Sequence, residues 1–143
     1  DIIEDKINKS SSWRQLENNM ILLMKNIAES IKNKKKDQKQ LQIKKVCNFI
    51  KNNYHRDLSL NDIAASIHLT KNYFANLFKE ETGKTVMEHL TDVRMQKARS
   101  LLKNTDLKIY EITQKVGYNN YNYFASVFKK NNSCSPNEYR NKY

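Results

Sequence analysis

A phrase of eight residues occurs twice in this chain, as NYFANLFK at 72–79 and as NYFASVFK at 122–129. Six of the eight residues are identical, and the apolar ones follow a helical spacing. Phe74, Leu77 and Phe78 fall at i, i+3 and i+4, which places them on one face of a helix. A chain of 143 residues has room for one or two domains. The fold must therefore contain the same small helical unit twice.

The repeated unit is longer than the octapeptide. Segments 60–83 and 109–133 align at an offset of 49 positions at first and of 50 within the octapeptides, so the second copy has one extra residue in its turn. Each copy is predicted to be a short helix, a tight turn and a helix that carries the octapeptide. This is the helix-turn-helix arrangement. We place the first at about 59–83 and the second at about 108–131.

The whole chain contains only two glycines and one proline, and helical periodicity covers most of the residues outside the repeat. Thr85 and Glu88 form a capping box that opens a helix running to about Asn104. The sequence therefore predicts an all-α fold, with two helix-turn-helix subdomains joined by a long linker helix at about 85–104 and preceded by an N-terminal connector helix. The predicted N-caps within the two subdomains are Ser59, Thr70 and Asn120.

The two octapeptide helices each have an inward and an outward face. Phe124, Val127 and Phe128 repeat the core spacing of the first copy, so packing explains the shared phenylalanines. The opposite faces are polar and end in a lysine. They carry Asn72, Ala75, Asn76 and Lys79 in the first copy and Asn122, Ala125, Ser126 and Lys129 in the second. The copies diverge on this face, at Asn76 and Ser126, as two readers of different base pairs would.

The linker helix has a length that suits DNA. About 20 residues at 1.5 Å per residue span ~30 Å, close to the ~34–36 Å between successive major-groove faces of B-DNA. Asparagine can pair with adenine, and alanine can contact a thymine methyl group. Lysines bind phosphates and add affinity and salt dependence. We therefore expect a double-stranded DNA partner, with recognition helices at about 71–82 and 121–131 in successive major-groove segments.

Composition agrees with a polyanionic partner. The 26 Lys and Arg exceed the 15 Asp and Glu, giving a net charge of +11, which favours nucleic acid or an anionic surface. A Lys- and Asn-rich chain also arises from AT-rich coding DNA alone. Cys47 and Cys134 are too few for a disulfide framework and too far apart in sequence for a metal site. No apolar run approaches the ~20 residues that span a bilayer. We expect a cytoplasmic protein without membrane association, metal or cofactor.

The N-terminal region combines an apolar stripe at 13–31 with a basic segment, KNKKKDQKQ, at 32–40. We interpret residues 1–40 as a connector helix and basic linker, and 41–143 as the DNA-binding domain, which opens with an amphipathic helix at about 39–54. The stripe favours either a homodimer through residues 13–31 or packing against a domain outside the chain. Because the chain begins without Met, we expect it to be the C-terminal part of a longer protein. The stripe consists of Trp13, Leu16, Met20, Leu23, Ile27 and Ile31.

Six phrases occur in order along residues 43–142: LSLNDIAASIHL, YFANLFKEETGKT, VRMQKARSLL, IYEITQKVGY, YFASVFKK and SPNEYR. Together they resemble the C-terminal DNA-binding domain of the AraC/XylS family of bacterial transcription regulators. The resemblance implies two helix-turn-helix subdomains joined by a long helix, sequence-specific DNA binding, and RNA polymerase as a further partner. The stripe and basic segment are similar to the connector of family members fused to a phosphorylated receiver domain, and a ligand-binding sensor is the alternative.

By this resemblance, base-edge contacts map onto Asn72, Ala75 and Asn76 in the first recognition helix and onto Tyr121, Asn122, Ala125 and Ser126 in the second. For Tyr121, stacking on the DNA backbone and covering the core are the two alternatives. Phosphate contacts are assigned to Lys71, Lys79, Lys129 and Lys130. Family members often have longer or charged groups where this chain has Ala75 and Ser126, so methyl contacts and DNA shape are expected to contribute to readout. His68 and Ser133 stand where the family usually has glycine, and a left-handed backbone at His68 would have a modest energetic cost.

The main alternative is a helical protein-interaction or dimerisation adaptor that has kept the fold but lost specific DNA binding. The polar and basic groups on both outward faces argue against it. We expect no catalytic residues, because the three histidines follow no metal-ligand spacing and have no apparent cysteine or carboxylate partner. The chain is therefore not predicted to be an enzyme.

Overall fold

The computed structural model describes the backbone of residues 2–142 and the side chains of residues 12–142. Within this range the chain forms seven α-helices and no strand, which confirms the predicted all-α fold. The helices are α1 (Ile2–Asn53), α2 (Leu60–Ser66), α3 (Lys71–Thr82), α4 (Val86–Asn104), α5 (Ile109–Lys115), α6 (Tyr121–Asn132) and α7 (Pro136–Lys142). The pairs α2–α3 and α5–α6 are the two helix-turn-helix units, and α4 is the linker helix.

The chain divides into two compact units, Asp1–Leu41 and Gln42–Tyr143. In the first unit α1 continues through residues 32–40, where the sequence suggested a linker and then a new helix from about residue 39. The segment is very polar but contains neither glycine nor proline. It consists mainly of Lys and Gln, which have high helix propensity. Polarity alone therefore does not interrupt the helix.

The apolar stripe of the first unit lies open to solvent. All described side chains from residue 12 to residue 38 are exposed, and Trp13 is the most exposed of its large apolar groups, at 72%. The stripe therefore has no partner among the described residues of its own unit. None of the helices in residues 2–142 has the length and apolar content needed to cross a lipid bilayer.

The second unit contains two hydrophobic cores that share α4. One core lies among the end of α1, α2, α3 and the first half of α4. The other lies among the second half of α4, α5 and α6. With 19 residues, α4 is about 28 Å long at 1.5 Å per residue. Its first half contributes Val86, Leu90 and Val93 to the first core, and its second half contributes Met95, Ala98 and Leu102 to the second.

The internal repeat includes the helix caps. Thr85 N–H donates to Glu88 Oε2 at 2.7 Å, and Glu88 N–H donates to Thr85 Oγ1 at 3.2 Å. Fifty positions later, Ser135 and Glu138 form the same pair of bonds, at 2.6 and 3.2 Å. Each box satisfies backbone donors at a helix start that would otherwise lack partners. The repeat therefore extends through the start of the helix that follows each recognition helix.

The predicted caps inside the two units have different outcomes. Ser59 forms the predicted capping box at the start of α2, and Asn120 Oδ1 accepts the N–H of Tyr123 at 2.9 Å. Thr70 has the extended backbone of an N-cap, but its hydroxyl accepts no hydrogen bond from α3. The backbone geometry of a cap is thus present at all three sites, and the side-chain bond at two of them.

Left-handed backbone also recurs at matching positions. His68 has φ 57° and its counterpart Gly117 has φ 89°. Gly83, after α3, has φ 73°, and its counterpart Ser133, after α6, has φ 61°. His68 and Ser133 therefore do adopt the conformation that glycine accommodates without a steric penalty, as the comparison with family glycines suggested.

Candidate nucleic-acid interface

Packing determines which side of each recognition helix reaches solvent. In α3, Phe74, Leu77 and Phe78 are buried. In α6, Phe124 and Phe128 are buried in the second core. Both helices have 12 residues, and side chains opposite this buried stripe are directed away from the core. One side of each helix is therefore available to a partner.

Most side chains assigned to DNA lie on these outward sides. The exposed ones are Lys71, Asn72, Asn76 and Lys79 in α3 and Tyr121, Asn122, Ser126, Lys129 and Lys130 in α6. Ala75 and Ala125 are half-buried, at matching positions of the repeat. Each outward side thus combines groups that can hydrogen-bond to base edges with cations that can bind phosphates.

The asparagines of residues 42–143 differ in whether their side-chain amides form hydrogen bonds within the protein. The Asn132 Oδ1 atom, for example, accepts a hydrogen bond from Arg99 Nη1 at 2.8 Å and so serves the structure. On the outward sides, by contrast, the side-chain amides form no hydrogen bond within the described part of the chain. These are the amides of Asn72, Asn76 and Asn122. Their donors and acceptors are free for an external partner.

The lysines near the helix ends also have a role inside the protein. Lys79 lies in the last turn of α3, and Lys129 and Lys130 lie in the last turn of α6. A cation there interacts favourably with the partial negative charge at the helix C-terminus. Helix stability therefore explains part of the reason for lysine at these positions.

Two exposed tyrosines were not assigned a role from the sequence. Tyr73 is 50% exposed and Tyr123 is 63% exposed, at the same position of the two octapeptides. Each precedes a buried phenylalanine and lies beside the outward face. The Tyr123 ring contacts that of buried Tyr118, with centroids 5.8 Å apart, so packing accounts in part for the identical aromatic residue at this position. That identity was the signal in the sequence that could have marked them as candidate contacts to the sugar–phosphate backbone.

The described residues also include side chains of the types that bind metal ions. No group of His, Cys, Asp and Glu side chains among them is arranged to hold a metal ion. His89 packs edge-on against Phe78, with ring centroids 5.6 Å apart. Burial lowers the pKa of His89, and its Nε2 atom has no hydrogen-bond partner. Its position at the edge of the first core, equivalent to that of Tyr139 beside Phe128, is that of a packing residue.

Comparison with known proteins gives a consistent result. A family model described as a helix-turn-helix domain matches residues 63–142, more than half of the chain. The xylose operon regulatory protein of Escherichia coli (strain K12) is 36% identical over 92 residues, which cover 64% of this chain and 24% of that protein. The matched segments cover at most 54% of three other curated regulators. The chain thus spans about half or less of the length of these relatives.

Solved structures agree with the sequence matches. The C-terminal domain of AraT, a response regulator from Geobacillus stearothermophilus, is 34% identical with a TM-score of 0.70, over 71% of this chain and 85% of that one. The DNA-binding domain of AdpA, solved in complex with a target DNA, has a TM-score of 0.68 over 71% of this chain and 91% of its own. Its 22% identity supports the fold alone. Family and fold are those of transcription regulators, not of enzymes. The chain therefore belongs to the AraC-type family of helix-turn-helix, DNA-binding transcription regulators.

Proposed function

We propose that the domain reads a bipartite DNA site, with α3 and α6 in two successive major-groove segments on one side of the duplex. The observation that carries this proposal is the repeat. Two recognition helices with matching buried phenylalanines present polar outward sides and share one linker helix of 19 residues. Its length of about 28 Å is close to the ~34–36 Å between half-sites one helical turn apart.

The assigned side chains divide into two roles. Base-edge contacts are proposed for Asn72, Ala75 and Asn76 in α3 and for Tyr121, Asn122, Ala125 and Ser126 in α6. Phosphate contacts are proposed for Lys71, Lys79, Lys129 and Lys130. The free amides of the outward asparagines support the first role, because asparagine can form two hydrogen bonds with adenine. The exposure of all four lysines supports the second.

Selection from a random duplex library, followed by mobility shifts over a salt series, tests this function. We expect enrichment of a site with two halves about one helical turn apart, bound more tightly than competitor DNA. Affinity should fall as salt rises because counterions are released from phosphates. Lys79→Ala should weaken binding to all sequences and reduce the salt slope by about one. Equal binding of selected and competitor DNA would instead favour the adaptor alternative.

Separate reading by the two helices gives a second prediction. Asn76→Ala should relax base preference in one half of the selected site, and Ser126→Ala in the other. Asn76→Ala should cost about 1–3 kcal/mol of discrimination, the value of a bidentate pair, and Ser126→Ala should cost less, since a hydroxyl is not a bidentate group. Repeating the selection with each variant measures this. Asn48→Ala, at an exposed position of α1, is the matched control. Identical preferences for the two variants would exclude separate reading.

The remaining partners stay predictions. The likeness to the AraT response-regulator domain supports a place for this chain in two-component signalling. A ligand-binding domain encoded upstream of Asp1, in place of a receiver domain, would contradict it. A homodimer through residues 13–31 is supported by the exposed stripe, and sedimentation as a monomer at every concentration would exclude it. Contact with RNA polymerase and a cytoplasmic location follow from the family resemblance.

A further inference from the structure

One arginine lies where the two helix-turn-helix units meet. Arg94 is in the middle of α4, between Val93, which belongs to the first core, and Met95, which belongs to the second. Its Nε atom donates to the carbonyl oxygen of Tyr54 at 2.8 Å. Its Nη2 atom donates to the carbonyl oxygen of Arg56, also at 2.8 Å. Both carbonyls follow the end of α1. They belong to the first half of the domain, by which we mean the end of α1, α2, α3 and the first half of α4; the second half is the rest of α4 with α5, α6 and α7.

The same guanidinium also contacts the second half. It lies over the ring of Tyr118, 5.0 Å from the centroid, in the geometry of a cation–π contact. Tyr118 is buried and belongs to the second core. A Cβ atom added to Gly117 would lie 2.9 Å from Arg94 Nη2 and 2.7 Å from the carbonyl oxygen of Tyr54. The turn between α5 and α6, in the second helix-turn-helix unit, therefore packs directly against Arg94 and the segment after α1.

Comparison of the two copies shows that a helix-turn-helix turn does not by itself require this contact. The residue of the first copy that corresponds to Gly117 is His68, which has the same left-handed backbone. Its side chain is exposed. Only the copy whose turn meets the other half of the domain has glycine at this position. At Gly117 the missing side chain therefore serves the junction between the copies as well as the left-handed turn.

We propose that Arg94 is a positioning residue that fixes the orientation of α6 relative to α3, and so sets the half-site spacing that the domain accepts. The inference rests on the proposed bipartite reading. The planar guanidinium has several donors in a fixed geometry. Two of these donors bind main-chain carbonyls in the first half of the domain. The face of the guanidinium covers the Tyr118 ring in the second half. Rotation of one half about α4 would break these contacts, so the two outward faces keep a fixed relation.

Arg140 provides a matched control. Its Nε and Nη2 atoms donate to the carbonyl oxygens of Leu102 and Leu107, at 3.4 and 2.7 Å. It thus anchors the turn after α4 in the way that Arg94 anchors the turn after α1, but all of its contacts lie within the second half. Arg140→Ala removes a comparable anchor without affecting the junction. Arg94→Lys keeps the charge of Arg94 and loses only the planar group.

The orientation can first be measured without DNA. Nitroxide labels at two exposed positions, Glu81 of α3 and Asn131 of α6, report the distance between the two helices by pulsed electron paramagnetic resonance. Free Cys47 and Cys134 are replaced by Ala, and circular dichroism confirms that each protein is folded. We expect one narrow distance distribution for the parent protein and for Arg140→Ala. Both Arg94→Lys and Arg94→Ala should broaden it. An unchanged width in both Arg94 variants would overturn the inference.

DNA spacing then tests the consequence for recognition. The probe is the duplex selected by the unmodified protein, with one or two base pairs inserted or deleted between its halves. We expect one inserted base pair to reduce affinity roughly tenfold or more, because linked modules lose avidity when geometry prevents simultaneous contact. In the Arg94 variants this loss of affinity should be smaller, and the affinity for a duplex with a single half-site should be unchanged. Arg140→Ala should show the same loss as the parent protein. Equal spacing preference in all proteins would overturn the inference. Failure to select any duplex would overturn the proposed function, and the distance measurement would still report on Arg94.

Discussion

Phe78→Ala is expected to lower the free energy of unfolding by about 3–5 kcal/mol, because it removes a fully buried ring and leaves a cavity in the first core. The Phe78 ring is wholly inaccessible to solvent. Its centroid lies 5.9 Å from that of Phe74 and 5.6 Å from that of His89, and both pairs meet edge to face. Small domains have only about 5–15 kcal/mol of stability, so this single change removes a large share.

Urea denaturation followed by circular dichroism measures this loss. Tyr73→Ala is the matched control, since it removes an aromatic side chain from the same helix at a position that is 50% exposed. We expect it to cost less than about 1 kcal/mol. Phe128→Ala should match Phe78→Ala, because Phe128 is equally buried and its ring centroid lies 5.8 Å from that of Phe124 and 5.5 Å from that of Tyr139. Equal losses for the Phe78 and Tyr73 variants would contradict the assignment of the inward and outward sides.

Gly117→Ala is expected to destabilise the domain by roughly 2–5 kcal/mol, the sum of two effects. A left-handed backbone costs a residue with a Cβ about 1–2 kcal/mol, and Gly117 has φ 89°. Overpacking adds about 1–3 kcal/mol, because the new methyl group would lie 2.7 Å from the carbonyl oxygen of Tyr54. A carbonyl of the main chain cannot move aside as the end of a flexible side chain can.

Gly83→Ala separates these two effects. Gly83 also has a left-handed backbone, with φ 73°, but a Cβ there meets no atom within 4 Å. It should therefore show the backbone cost alone, about 1–2 kcal/mol. Parallel thermal or urea unfolding of the two variants gives the difference, which measures the packing at the junction. Identical losses of stability would show that the turn between α5 and α6 is not closely packed against the first half of the domain.

The fold was largely predictable because its signals are local. The spacing of Phe74, Leu77 and Phe78 identifies the inward side of α3 without any knowledge of what packs against it. The Thr85–Glu88 capping box likewise depends on residues three apart. The basic segment at 32–40 was harder, because high polarity and helix propensity gave opposite indications, and the structure shows a helix there.

The junction could not be predicted for a different physical reason. Arg94 reaches main-chain carbonyls 38 and 40 positions away, and a carbonyl group is present at every residue, so no side chain of the sequence identifies the acceptor. The outward sides of α3 and α6 were predictable from periodicity, and their exposure agrees with it. Which of their side chains contact DNA stays a prediction, because contact depends on the partner as well as on the protein.

The division of each recognition helix into a packed and an open side has a consequence for how such a regulator can evolve. Substitutions at Asn76 or Ser126 change an exposed group and leave the phenylalanines of the core untouched, so under the proposed assignment they are expected to alter DNA preference at little cost to folding. The two helices can change one at a time. If the domain reads a bipartite site as proposed, one half of that site would still hold the regulator while the other half drifts, and a lineage would acquire a new target without passing through an inactive intermediate.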